Sequence, residues 1–323
     1  MDTYRKPERV GLYPPIEPHR SGMIDAGEGH FLYYEECGRA DGVPIIAVHG
    51  GPGGGAAPSM RRFFDPTLYR IIIFDQRGCG RSRPFSETRA NDTGRLVADM
   101  ETIRTALGVD RWVVFGGSWG ATLSLAYARA CPERVLRLVL RGVFGCTRAE
   151  LDWFYRKGAN QIFPDAWHAL TGRLNPAERE DVLRAYHRRM QIEDMDARRE
   201  DAMAWAQWEN ALISLVPDAD GMVPDTRRAD ALARMETHYF VNKGFLERDG
   251  ILLDDTAHLA RIPGIIVQGR YDMVTPARTA WQLSRNWPQA QLRIISDAGH
   301  AAGEAGIVDA LVRATDRFAA ELA

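Results

Sequence analysis

Three residues of this chain suit nucleophilic acyl transfer, and they occur in the order Ser118, Asp272, His300. An imidazole can take the proton of a serine hydroxyl, and a carboxylate can fix the imidazole tautomer and stabilise the imidazolium that forms. Ser118 lies in GGSWG at 116–120. That string fits Gly-x-Ser-x-Gly, a sharp strand-to-helix turn that lifts a hydroxyl above a sheet edge. Gly116 and Gly120 leave space for neighbouring backbone at such a turn. A glycine-rich turn without chemistry satisfies the same five residues taken alone. Asp272 in GRYDMVTP (269–276) and His300 in DAGH (297–300) would each be unremarked loop residues in isolation. Their order behind the serine, each just past an apolar run, gives them a joint role. HGGPGGG at 49–55 offers backbone N–H groups that can converge on one point. With the N–H of Trp119 they would form an oxyanion hole, for which Gly50 and Gly51 are both candidates and Gly51 is favoured. A phosphate-cradling loop would need GxxxxGK[ST] or GxGxxG, and no lysine follows here. DQRGCGRS at 75–82 follows another apolar run; Asp75 and Arg77 suit bracing of the HGGPG loop better than chemistry.

These residues need a frame that brings them to one edge. Short apolar runs at 31–35, 45–48, 70–74, 112–115 and 135–140 read as strands, and 94–107 and 121–129 as helices. The alternation predicts a mostly parallel sheet with helices on both faces, an α/β fold. From 146 to 249 no buried strand is legible. Helical spacing at 148–160, 176–191 and 196–215, with a Pro217–Pro224 loop rich in Asp and Gly, predicts an all-helical cap. Strand signals return at 264–267 and 292–295, and helical ones at 277–287 and 304–321. The expected organisation is a core of 1–145 and 250–323 interrupted by a cap of 146–249. Ser118, Asp272 and His300 each follow a strand, on the rim where open α/β sheets bind ligands.

The chain has 323 residues, 45% of them apolar and 26% charged, with a formal net charge of −2. That balance gives no basic surface for nucleic acid. No apolar run is long enough to cross a membrane, and the first residues, MDTYRKPERVGLYPP, lack an apolar leader core. Cys37, Cys79, Cys131 and Cys146 show no metal-ligand spacing, so free thiols and a cytoplasmic setting are expected, with no metal and no cofactor.

The strings HGGPGGG, DQRGCGRS, GGSWGATLSLAYA, LVLRG, WFY (153–155), WEN (208–210), HYFVN (238–242) and GRYD resemble the proline iminopeptidases of the α/β-hydrolase fold across nearly the whole chain. The resemblance implies metal-independent release of N-terminal proline from a small peptide or aminoacyl amide with a free N-terminus. It also implies that Glu209 and Glu236 in the cap hold the substrate's α-ammonium, with Arg141 holding that acidic pair against its own repulsion. Phe144, Tyr155 and Phe240 match aromatic positions walling the proline pocket, although packing between cap and core explains Tyr155 equally well. Many members carry a cysteine three residues past the catalytic acid, where this chain has Thr275. Two other readings stay open: an esterase, amidase or pathway-specific hydrolase on the same triad, and a non-catalytic binding protein on the same fold.

Overall fold

The computed structural model describes residues 9–216 and 225–323. The start of the chain and the loop between Pro217 and Pro224 lie outside the described residues. The described strands form one sheet in the order β1-β2-β4-β3-β5-β6-β7-β8. They are β1 (Arg20–Asp25), β2 (Phe31–Gly38), β3 (Val43–Val48), β4 (Tyr69–Phe74), β5 (Trp112–Ser118), β6 (Val135–Val143), β7 (Gly264–Gly269) and β8 (Ala290–Ile295). β2 runs antiparallel to β1 and β4; every pairing from β4 through β8 is parallel.

The central strands read as unbroken apolar runs because both of their faces are covered. In β3, Ile46 and Val48 join one core while Ile45 and Ala47 join the other; in β5, Trp112 and Val114 divide from Val113 and Phe115 in the same way. The first core packs under α1 (Thr93–Ala106), α2 (Trp119–Ala130) and α9 (Ala277–Asn286), and the second under α10 (Ala305–Leu322). Each fully buried aliphatic side chain contributes about 1.5–3 kcal/mol, so the two cores fix the register of every strand end on the rim.

Between β6 and β7 the described chain is helical: α3 (Arg148–Tyr155), α4 (Pro164–Thr171), α5 (Val182–Met190), α6 (Met195–Ile213), α7 (Thr226–Val241) and α8 (Ile251–Asp254). α3 stops earlier than its apolar spacing predicts. Gly158 follows it, and a side chain there would meet the Trp153 ring at 2.4 Å. α6 and α7 are joined by a buried ion pair, Arg198 Nε to Asp230 Oδ1 at 2.6 Å. Asp230 also accepts from the Ser86 hydroxyl at 2.7 Å, which ties this helical segment to the loop after β4. Among the described residues no helix is long and apolar enough to cross a membrane.

The turn from β5 into α2 is a tight part of the frame. Ser118 sits at φ 59°, ψ −128°, a strained conformation for a residue with a side chain. A β-carbon on Gly120 would lie 2.2 Å from the Val48 carbonyl oxygen, and one on Gly116 would lie 2.3 Å from that of Gly120. Both contacts are backbone and cannot swing away. Gly120→Ala is therefore expected to cost about 2–3 kcal/mol of stability in urea titration. An unchanged midpoint would contradict the close approach.

Candidate active site

The order of the strands determines where a site can form. β3 has β4 on one side and β5 on the other, so the loops leaving β3 and β5 diverge and open a crevice at their C-terminal ends. The β3 exit carries HGGPGGG and the β5 exit carries Ser118. A cavity of about 280 Å³ lies there, lined by Gly50, Gly51, Ser118, Arg141, Glu209, Glu236 and His300 among others.

Asp272 and His300 emerge beyond β7 and β8 and are buried. Asp272 Oδ2 lies 2.8 Å from His300 Nδ1. Around that carboxylate stand the N–H groups of Val274 and Thr275 on Oδ1, at 3.1 and 2.7 Å, and the Gln268 amide and Thr275 hydroxyl on Oδ2, both at 3.0 Å. Thr275, which the family pattern marks only as a departure in the pocket, is thus a hydrogen-bond partner of the acid. Gln268 was not legible as a site residue at all; it is the buried polar residue within an otherwise apolar β7, and that mismatch was its one signal.

Arg141 is placed differently from the expectation. Its Nη1 donates to His300 Nε2 and to the His300 carbonyl, each at 3.0 Å, and it forms no ion pair with Glu209 or Glu236. The guanidinium lies against Gly117, where a β-carbon would come within 2.5 Å of Nη2. It is thereby wedged between the serine turn and the histidine. Because a guanidinium only donates, Nε2 is the acceptor and the proton is on Nδ1, donated to Asp272. That is the tautomer a general base needs. In this arrangement Nε2 is engaged by Arg141 and makes no hydrogen bond to the Ser118 hydroxyl. Burial, with the Arg141 charge as a smaller cause, holds the His300 pKa below its ordinary 6.5 despite the opposing pull of Asp272.

The glycine loop abuts the serine. A β-carbon on Gly50 would lie 3.3 Å from the Ser118 β-carbon, and Gly51 has φ 115°. The loop is braced by the segment after β4. His49 Nε2 accepts from the Gln76 N–H at 3.0 Å, the Gln76 amide donates to the His49 carbonyl at 2.8 Å, and Asp75 Oδ1 accepts from the Ala56 N–H at 2.7 Å. Arg77 does not take part; it pairs with Asp99 at 2.7 Å. Trp119 opens α2, so its backbone N–H belongs to the unpaired first turn, while its indole donates to Gln76 Oε1 at 3.0 Å.

Glu209 on α6 and Glu236 on α7 both line the cavity, where their carboxyls lie side by side. Tyr155 donates to Glu209 at 2.9 Å and the Trp205 indole to Glu236 at 2.6 Å. Burial raises the pKa of both carboxyls, and the charge of Glu209 raises that of Glu236 further. Two carboxylates this close cannot both ionise cheaply, which biases the pair toward holding a proton.

The expectation of aromatic pocket walls concerns Phe144 and Phe240, which line the cavity with ring centroids 5.7 Å apart. It needs correction for Tyr155. That ring stacks on Trp205 at 4.5 Å and lies outside the cavity lining, where its neighbour Phe154 takes the place. Adjacent residues on a helix point about 100° apart, so only one of the two can face inward. Glu304 was also missed; it accepts from the Gly299 and Leu215 N–H groups and pins the histidine loop to the segment after α6. Among the described residues no group of three His, Cys, Asp or Glu side chains is arranged to hold a metal.

The α/β-hydrolase fold family model matches residues 43–306. A probable proline iminopeptidase of Leptolyngbya boryana is 49% identical over 312 residues, covering 96% of this chain and 97% of that protein. The proline iminopeptidase of Xanthomonas citri is 51% identical over 310 residues, covering 95% and 99%. Among solved structures, a proline iminopeptidase of Mycobacterium smegmatis shares the fold with a TM-score of 0.58 at 19% identity, covering 94% of this chain and all of that one. The chain belongs to the proline iminopeptidase family of the α/β-hydrolase fold.

Proposed function

We propose that this chain is a serine aminopeptidase that releases proline from the free N-terminus of small peptides through an acyl-enzyme. The observation that carries the reading is the neighbouring carboxyls of Glu209, partly buried, and Glu236, fully buried, in the same cavity as Ser118 and the His300–Asp272 couple. A cationic secondary amine is the ligand such a pair suits: it takes the place of the retained proton and lets the second carboxyl ionise. Residues 146–249 act as the cap that carries this anchor over a core formed by 1–145 and 250–323.

Ser118 Oγ attacks the first peptide carbonyl and gives its proton to His300 Nε2, once the Arg141 guanidinium has turned away from that nitrogen. Asp272 holds the Nδ1–H tautomer and stabilises the imidazolium. The N–H groups of Trp119 and Gly51, with Gly50 beside them, receive the oxyanion. His300 then protonates the leaving amine, and water hydrolyses the prolyl ester by the same route in reverse. Phe144 and Phe240 flank the pyrrolidine ring, and Tyr155 supports Glu209 from behind. The direct test is turnover of proline β-naphthylamide against short acyl esters. Preference for the prolyl amide supports the reading; ester turnover with an inert prolyl amide overturns it.

A pH dependence follows from the direction of the shifts. The anchor pair has raised pKa values, so it ionises only as pH rises, and substrate ammonium displaces a proton on binding. 1/KM for a free-amine substrate is therefore expected to climb with pH, by up to about tenfold per unit, until the substrate's own amine deprotonates. The depressed His300 pKa keeps the base neutral below 6.5, so kcat should hold to more acid pH than an ordinary imidazole allows. Glu236→Gln should flatten the climb and lower kcat/KM for prolyl substrates about 30-fold or more. An identical pH slope for a neutral ester would contradict the assignment.

A further inference from the structure

Arg228, on the first turn of α7, has no role in the chemistry above, yet it lines the catalytic cavity. Among the described residues lining that cavity, every other one is buried or partly buried and Arg228 alone is exposed. The described lining therefore reaches solvent at this side chain, about two turns before Glu236 on the same helix. Beyond the opening lies a groove of about 240 Å³ that shares Gly54, Gly55, Ala57 and Arg228 with the cavity. Two further arginines line it, but both are committed. Arg81 pairs with Asp75 at 2.7 Å and Glu35 at 3.1 Å, and the Arg227 guanidinium lies 3.9 Å above the Phe85 ring. The acids of the groove are also engaged: Asp75 with Arg81, and Asp225 with the Arg227 N–H at 3.4 Å. Arg228 makes no ion pair with any described residue. It is the cation available at the mouth.

We infer that Arg228 forms a subsite for the C-terminal carboxylate of a short peptide, which makes free dipeptides of the form Pro-Xaa a favoured substrate class. The inference rests on the aminopeptidase reading above. With the ammonium end held at the acidic pair, the residue after the scissile bond runs toward Arg228, the exposed residue among those described in the lining. The two ends of a dipeptide lie within about 7 Å of each other, so its carboxylate is still close to the cavity when it reaches that side chain. An arginine fork matches a carboxylate in geometry as well as charge. The cavity then carries opposite charge at two places, acids at Glu209 and Glu236 and a cation at Arg228, with apolar walls between them, and a dipeptide zwitterion fits it in one direction.

The test compares kcat/KM for Pro-Gly and Pro-Gly-amide in the wild type, Arg228→Gln and Arg228→Lys, at low ionic strength. The wild type is expected to favour the free acid about fivefold or more, carried by KM, since partly exposed charge pairs have modest strength. The ratio should fall to about one in Arg228→Gln and recover in part in Arg228→Lys. Equal ratios in the wild type and the Gln variant, or a wild type indifferent to the carboxylate, would overturn the subsite while leaving the aminopeptidase reading intact. Failure of the wild type to cleave either compound would instead remove both.

Discussion

The Ile213 carbonyl accepts from the N–H groups of both His300 and Ala301, each at 2.9 Å, and on that junction the geometry of the cavity depends. Ile213 is the last residue of α6, and Glu209 stands one turn before it on the same helix face. His300 and Glu209, the proposed base and amine anchor, are thus fixed to one another through a single helical turn. Glu304 strengthens the joint by accepting from Gly299 on one side and Leu215 on the other. A cap free to rock would let the anchor drift from the nucleophile, and a shift of about 1 Å can cost two orders of magnitude in rate.

The same economy explains the polar groups held inside. The Asp272 carboxylate sits among four hydrogen-bond donors besides the imidazole, so it is held in place and its charge is not left bare. Glu209 and Glu236 have one such donor each, Tyr155 and Trp205, and burial raises the pKa of both carboxyls. Arg141 is the complement: a cation at the cavity wall whose hydrogen bonds go to the histidine. The cavity thus keeps its charges apart, with the acidic pair biased toward holding a proton and Arg141 resting on His300. A bound ammonium alters that balance at the acidic end.

Much of this frame was legible in the chain. The central strands announced themselves because burial on both faces leaves unbroken apolar runs, and the serine turn because its glycines are forced by backbone contacts of 2.2–2.3 Å. β1 was not legible: it is an exposed edge strand, RSGMID, with no apolar face to read. α4 was missed as well, since only Leu170 is buried along it. In the site, the triad could be ordered along the chain, but pairings between distant residues could not. Arg141 was assigned to the acidic pair and reaches His300 instead; Tyr155 was given a face that Phe154 occupies. Trp205, Gln268 and Glu304 act through contacts that local spacing does not encode.

The central claim is that the amine anchor measures the distance to the nucleophile, so that only the first residue is released. Product analysis by mass spectrometry on Pro-Ala-Pro-Gly and its N-acetyl form tests it most directly. The free peptide should lose one proline and the acetylated peptide should remain whole. Internal cleavage, or equal hydrolysis of the acetylated peptide, would contradict the account.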